Sequence, residues 1–208
     1  MLSAVLPYLF FSILGFCSGS ILYAYYLPLF FCGKNLYKDT SDGNPGTANA
    51  FLQGGVFCGI LCLLLELAKG FLPIFTALHG FFHVSCDIHS PLSALVLSAP
   101  VLGHAMPFFR PAKGGKCIAV SFGVLLGLFP HWQPVVILAF FYLFFSLILV
   151  IRPHLFRSVT TFFLTSLCIW LFSPFLSVRI GCILISCTVI VQHLKKHNGE
   201  KPKLQLFL

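Results

Sequence analysis

The chain has 208 residues, of which 58% are apolar and only 9% charged, with 25 Phe and thirteen basic residues set against five acidic ones. So few charges cannot clothe a water-soluble surface, since soluble domains carry about 25% charged residues, and a mean hydropathy of +0.97 places most of the length in hydrocarbon. The formal charge of +8 does not mark a nucleic-acid binder, because the bases fall in short clusters between apolar runs.

Seven apolar runs are expected to be helical spans, at residues 4–26, 57–78, 92–106, 117–129, 135–151, 158–172 and 175–191. A hydrocarbon core of about 30 Å needs roughly 20 helical residues, so the third, fourth and sixth runs are short and need shielding by protein. The first run lacks the basic segment that precedes a cleavable signal, the first Lys being Lys34, and is expected to remain as a span. Pro91, Pro107, Pro130, Pro134, Pro153 and Pro174 punctuate the joins, where a missing N–H does least harm. The expected architecture is an all-α polytopic membrane protein, a compact bundle of about seven transmembrane helices in one domain over residues 1–194, followed by a basic tail over 195–208.

The basic residues alternate loop by loop. Lys34 and Lys38 precede the second run; Arg110, Lys113 and Lys116 precede the fourth; Arg152 and Arg157 precede the sixth; Lys195, Lys196, Lys201 and Lys203 form the tail, and the intervening loops hold none. Under the positive-inside rule this pattern predicts an outside N-terminus, seven spans and an inside C-terminus. Only Lys69 and Arg179 lie within runs. Nine Cys form no C-x-x-C pair, and those inside apolar runs read as small hydrophobes.

The polar segments on the inner face carry the chemistry. KDTSDGNPGTAN, at 38–49, is a turn-forming surface loop or else an anion site, in which Asn44 and Asn49 aim amides, and Gly43 and Gly46 aim N–H groups, at a ligand held by Lys34 or Lys38. GHAMPFFRPAKGGKC, at 103–117, sets three bases around a glycine pair ahead of an apolar helix. That arrangement either serves orientation alone or suits phosphate, since glycines permit close approach and a helix N-terminus offers unpaired N–H groups. His104 beside it is a base, a hydrogen-bond donor or a structural residue. Glu66 and Lys69, three residues apart on one helix face, form a structural ion pair or line a cavity. If the second span begins near Phe57, Lys69 lies ~18 Å up the helix, so either the helix starts nearer Asn49 and is tilted or broken around residues 70–73, or the cavity is deep. On the outer face, His79, His83, Cys86, Asp87 and His89 match no zinc spacing, although His79 and His83 could share a metal if helical.

Five blocks occur in an order that resembles the bacterial acyl-phosphate:glycerol-3-phosphate acyltransferase family (PlsY type): GSILYAY at 19–25, DGNPGTANA at 42–50, ELAKGFLP at 66–73, GHAMPFF at 103–109 and KGGKCIAV at 113–120. The resemblance implies a bundle of about seven spans in the bacterial inner membrane, with its active site on the cytoplasmic side. It implies transfer of a fatty acyl group from acyl phosphate to the 1-hydroxyl of glycerol 3-phosphate, giving lysophosphatidic acid for phospholipid synthesis. The donor is already activated, so neither a nucleophile nor a cofactor or metal is required. Membrane lipids are the surroundings and no nucleic acid is involved. On this reading Lys38, Lys69, Lys113, Gly114, Gly115 and Lys116 hold phosphate, and Asn44, Asn49 and His104 position the reacting groups. Asp42 or Ser41 stands in for the family's Ser, and His193 and Glu200 contribute from the tail. Phe109 stands five residues after His104, which argues against the His-x4-Asp acyltransferases. The chain departs from the family pattern at Asp42 (Ser), Lys38 and Leu52 (both Arg), Cys117 (Gly) and Lys196 (Asn). Two further readings remain beside the enzyme: a transporter or lipid-anion binding protein using the same basic cavity, and a degenerate acyltransferase paralogue.

Overall fold

The computed structural model describes residues 2–40, 42–80, 84–109, 113–195 and 199–206. Its elements in chain order are α1 (Leu2–Ser20), α2 (Tyr23–Cys32), α3 (Leu36–Asp39), α4 (Thr47–His79), α5 (Ser93–Ala105), α6 (Ile118–Leu126), α7 (Gln133–Leu143), β1 (Leu149–Arg152), α8 (His154–Phe172), α9 (Leu176–Leu194) and β2 (Lys203–Leu206). Each of the seven apolar runs carries a helix. Four segments are long and apolar enough to cross a membrane: Ala4–Cys32, Thr47–His79, His154–Phe172 and Leu176–Leu194. Among the short helices, α5 is the shielded one. In α5 nearly every residue from Ser93 to Ala105 is buried, because α1 packs on one side of it and α9 on the other.

Large apolar side chains cover the outside. Val136, Phe140, Leu143 and Leu147 are spaced by four, three and four residues and are all exposed, which makes one apolar stripe along α7 and its π-helical continuation. The interior is the more polar part, with Ser98, Ser121, Ser158, Thr161, Thr165 and Ser186 buried between helices. That distribution suits a bundle solvated by lipid, where helix contacts rest on small residues and hydroxyls rather than on apolar contrast. Glycines bring the backbones together. A Cβ on Gly103 of α5 would collide with the Phe16 carbonyl of α1, and one on Gly123 of α6 would collide with the Leu67 carbonyl of α4. Across other seams, Ser18 Oγ of α1 donates to Lys69 O of α4 at 3.0 Å and Ser186 Oγ of α9 to Phe162 O of α8 at 3.0 Å.

Several boundaries differ from expectation. The first run is broken between Ser20 and Tyr23 into α1 and α2. The second helix begins at Thr47, ten residues before the expected start, and its break is at Gly55, with φ 77° and ψ 178°, while residues 70–73 stay helical. An early start with a bend at a glycine leaves Lys69 deep along the helix, and a deep cavity accounts for the rest. The fifth run ends as a strand rather than a helix. Leu149–Arg152 pairs antiparallel with Lys203–Leu206, so the fold is not wholly α, and the tail is bound to the bundle through backbone hydrogen bonds. Sequence periodicity missed this pairing because β2 is four exposed residues ordered by a partner strand 51 to 57 positions away, in the register Arg152 to Lys203.

The break between α1 and α2 is closed by a charged cluster in the bundle interior. Lys69 Nζ lies 2.8 Å from Glu66 Oε2, 2.7 Å from the Ile21 carbonyl and 2.8 Å from His104 Nδ1. His104 Nδ1 is also 3.1 Å from Glu66 Oε2, and all three side chains are buried. The three ammonium protons are thus matched by three acceptors, one of them a carbonyl released by the break. A freed backbone oxygen at membrane depth must find a donor inside the protein, and Lys69 supplies it while joining α4 to α5 and to the α1–α2 joint.

Two outcomes follow from this packing. Gly103→Val should lower stability by about 1–3 kcal/mol, because backbone atoms cannot yield as side chains do, and this is read as a lower melting temperature in detergent. Lys69→Met should remove about 3–5 kcal/mol by leaving Glu66 charged and unpaired. The double variant Glu66→Met/Lys69→Met should recover part of that loss, and a double variant whose loss equals the sum of its singles would show the pair is not coupled.

Candidate active site

The loop after α2 is built from short-range hydrogen bonds. α2 ends at Gly33, which takes the left-handed conformation at φ 64°. Asn35 caps α3 by accepting from Tyr37 N–H at 3.1 Å, while its own N–H donates to Asp39 Oδ2 at 2.7 Å. Tyr37 then donates its hydroxyl to the Lys113 carbonyl and ties this loop to the glycine loop. Burial, together with the neighbouring Tyr25 and Tyr26, pushes the Tyr37 phenol upward, so it remains a donor.

Asp42 organises the next segment. Its Oδ1 accepts from Asn44 N–H at 3.2 Å and Asn49 Nδ2 at 2.8 Å, and Oδ2 meets Lys116 Nζ at 2.7 Å. Asn49 Nδ2 also donates to the Asn44 carbonyl at 2.8 Å. Lys116 Nζ lies 3.0 Å from His154 Nε2 as well, so one ammonium joins the first inner loop, the glycine loop and the start of α8. Burial pushes the Asp42 carboxyl upward, but Lys116, the Asn49 amide and the Asn44 N–H together outweigh it and hold the group below the usual carboxylate range.

These groups stand at one end of a cavity of about 700 Å³. Its polar part is formed by Asp42, Asn44, Asn49, Lys116, His154 and Arg157, and its apolar arm by Leu52, Leu63, Leu67, Phe122, Leu126, Val135, Ala139 and Tyr142. Glu66 and His104 line it more deeply, alongside Ile118 and Ala119 at the opening turn of α6. A second cavity of about 930 Å³ shares His154 and Arg157 and adds Arg152, Glu200, Lys201 and Lys203.

The residues expected from sequence divide into two groups. Asp42, Asn44, Asn49, His104 and Lys116 line the cavity together. Lys38 and Lys113 are exposed on the loops outside it, and Lys69 lies beneath Glu66, its protons already spent. Gly114 packs against the Ala105 and His104 carbonyls and Gly115 against the His104 ring. The Gly115 N–H donates to His104 O at 3.2 Å, so it does not point at a ligand. The same correction holds for the first loop, where Gly43 N–H donates to Thr40 O and Gly46 N–H to Asn44 O. Gly43, Gly46 and Gly115 thus spend their N–H groups on turning and packing within the protein. His104 is not placed as a base, because its Nδ1 faces the Lys69 ammonium; its other nitrogen, Nε2, lies toward Gly115. His193 is buried with Nδ1 2.8 Å from Val189 O, behind His154 with ring centroids 6.2 Å apart. Glu200 belongs to the second cavity. Ser41 and, on the outer face, His83 lie outside the described residues. His79 stacks on Phe75 at 4.1 Å, and among the described residues no group of three ligating side chains is placed to hold a metal.

Sequence reasoning missed His154 and the second role of Arg157. Both follow Arg152 and Pro153 in a segment whose bases served only to count orientation, yet a His at the first position of a helix after a basic Arg-Pro pair was a signal of its own.

A family model described as glycerol-3-phosphate acyltransferase matches residues 9–199. The glycerol-3-phosphate acyltransferase of Macrococcus caseolyticus is 32% identical over 180 residues, covering 84% of this chain and 86% of that protein. That of Thermotoga petrophila is 29% identical over 202 residues, covering 95% and 96%. Two crystal structures of PlsY (YgiH), an integral membrane glycerol 3-phosphate acyltransferase, superpose over 90% of this chain and 88% of theirs. The lysophosphatidic acid form has a TM-score of 0.70 at 26% identity, and the glycerol 3-phosphate form 0.72 at 25%. With the family model matched over nearly the whole length and the fold shared with these structures, the chain belongs to the glycerol-3-phosphate acyltransferase family.

Proposed function

We propose that this protein transfers a fatty acyl group from acyl phosphate to the 1-hydroxyl of glycerol 3-phosphate at the bacterial cell membrane, releasing phosphate and lysophosphatidic acid. The observation that carries the reading is a single cavity with an apolar arm and a cationic end, where Lys116, His154 and Arg157 meet. A fatty acyl phosphate has that same division of character. Its chain lies along Leu63, Leu67, Phe122, Leu126 and Ala139, and its phosphate meets Lys116 and Arg157, with the first turn of α6 adding unpaired N–H groups and positive potential. Arg157 stacks over Tyr142 with Cζ 5.9 Å from the ring, which holds its planar donors at the cavity wall.

Because an acyl phosphate is a mixed anhydride, the acceptor oxygen attacks its carbonyl carbon directly and phosphate leaves. Catalysis then consists of positioning and charge stabilisation. Asn44 and Asn49, locked to Asp42, place amide groups beside the reacting carbonyl, while Glu66 and His104 shape the deeper wall. Cys117 lines the cavity, but its Sγ is turned to the Val101 carbonyl at 3.6 Å and the Gly115 carbonyl at 3.4 Å, which suits packing rather than covalent catalysis. Lys38, Lys113 and the second cavity, with Lys201 and Lys203, form a basic approach to the site for the second phosphate-bearing substrate.

The same contacts support the inner-face assignment. The Tyr37–Lys113 and Asp42–Lys116–His154 bonds and the β1–β2 pairing gather the three basic loops and the tail at one end of the bundle. By the positive-inside rule that end faces the cytoplasm, with the N-terminus outside and the C-terminus inside.

Purified protein in lipid should release phosphate from palmitoyl phosphate only when glycerol 3-phosphate is present. Lys116→Met should lower that rate roughly 100-fold, as loss of one charge-stabilising donor does, and turnover independent of the acceptor would refute the acceptor assignment. Ala139→Phe fills part of the apolar arm, so activity with palmitoyl phosphate should fall relative to octanoyl phosphate while the KM for glycerol 3-phosphate stays constant. An equal loss with both donors would place the chain elsewhere.

A further inference from the structure

Resting on the acyl-transfer reading, we propose that Asp42 is the general base for the acceptor hydroxyl and that the substrate phosphate, by taking Lys116 from it, sets it free. Three observations lead there. Asp42 is one of two acidic residues lining the reaction cavity; the other, Glu66, is 2% exposed and committed to Lys69, so the carboxylate at the cationic end is Asp42. Its Oδ2 is paired at 2.7 Å with Lys116, the cation that an incoming phosphate needs. Its Oδ1 is fixed by Asn44 N–H and Asn49 Nδ2, so the carboxylate stays in place when Lys116 turns away.

The site therefore already holds an anion of its own where the substrate's anion belongs. Lys116 keeps His154 as its second neighbour at 3.0 Å, so the ammonium can swing between Asp42 and the His154 side, where Arg157 supplies further positive charge. Two anions cannot share one ammonium without repulsion, and the dianionic phosphate with several acceptor oxygens is the stronger competitor. Once Lys116 has moved, burial acts on Asp42 against fewer stabilising partners, which strengthens it as a base. Basicity then appears only with donor bound. In the resting enzyme the same carboxylate is neutralised and cannot activate water.

The step balances. Asp42 takes the proton of the glycerol 1-hydroxyl as its oxygen forms the bond to the acyl carbon. The bond from that carbon to the phosphate oxygen breaks, the departing phosphate takes the proton from Asp42, and the carboxylate returns to Lys116. The Ser that the family pattern places at this position cannot act this way at neutral pH, so the feature belongs to the carboxylate of this chain.

Asp42→Asn tests it, because the amide oxygen still accepts from Asn44 and Asn49 while the charge is lost. With palmitoyl phosphate and glycerol 3-phosphate in lipid, kcat should fall about 100-fold or more, while the KM for palmitoyl phosphate stays equal or falls. Inorganic phosphate should inhibit at lower concentration than in the wild type, since Lys116 has lost its internal anion. Asp42→Ser, which leaves a gap, should show the same loss of kcat and regain rate with added formate. Should Asp42→Asn fail to fold, the Ser variant carries both readouts. A kcat within threefold of wild type, or a raised KM with kcat intact, would overturn the base assignment alone. Absence of acceptor-dependent turnover in the wild type would overturn the acyl-transfer reading beneath it.

Discussion

The ammonium of Lys69 is the one group on which the rest of the arrangement hangs. It sits in the bundle interior with three acceptors around it: the Glu66 carboxylate, the His104 ring and the Ile21 carbonyl. Each acceptor belongs to a different part of the site's support. Glu66 shapes the cavity wall, His104 backs the glycine loop, and Ile21 marks the place where the first span breaks so that α2 can set the direction of the first inner loop. A charge at this depth is tolerated only among partners inside the protein, and these close contacts tie three helices to one another.

From that fixed interior, the inner loops are positioned by progressively smaller contacts. The Gly114–Gly115 pair packs on Ala105 and His104, where any Cβ would collide. This carries the rigidity of α5 outward to Lys116. Lys116 in turn holds Asp42, and Asp42 holds Asn44 and Asn49. The glycines that sequence reading cast as phosphate donors thus act one step earlier, by letting the loop lie against the helix end. The Gly115 N–H is occupied by the His104 carbonyl, and the cations of the cavity come from side chains contributed by different segments.

The chemistry of the site also explains its economy. Acyl transfer from a mixed anhydride requires neither a bound metal nor an enzyme-linked intermediate, only a greasy slot, cations for phosphate and a means of handling one proton. The cavity supplies the first two from α4, α6, α7 and α8. For the third, the proposed base is a carboxylate that the structure holds paired with Lys116.

The seven helical runs, the clustering of bases at one end and the family itself were legible in the sequence, because each is set by local composition or by motif order. A long apolar run in lipid must satisfy its backbone groups internally, which favours helix over most of its length. Motifs also identified Asp42, Asn44, Asn49, His104 and Lys116, which the fold brings into one cavity. What tertiary structure alone decided was the partner of each group: that Lys69 closes a helix break instead of meeting phosphate, that Gly115 spends its N–H on His104, that His154 and Arg157 join the site, and that the tail pairs as a strand with residues 149–152. Those choices depend on groups tens of residues apart competing for the same donors and acceptors. Spacing along the chain carries no record of that competition, and only packing resolves it.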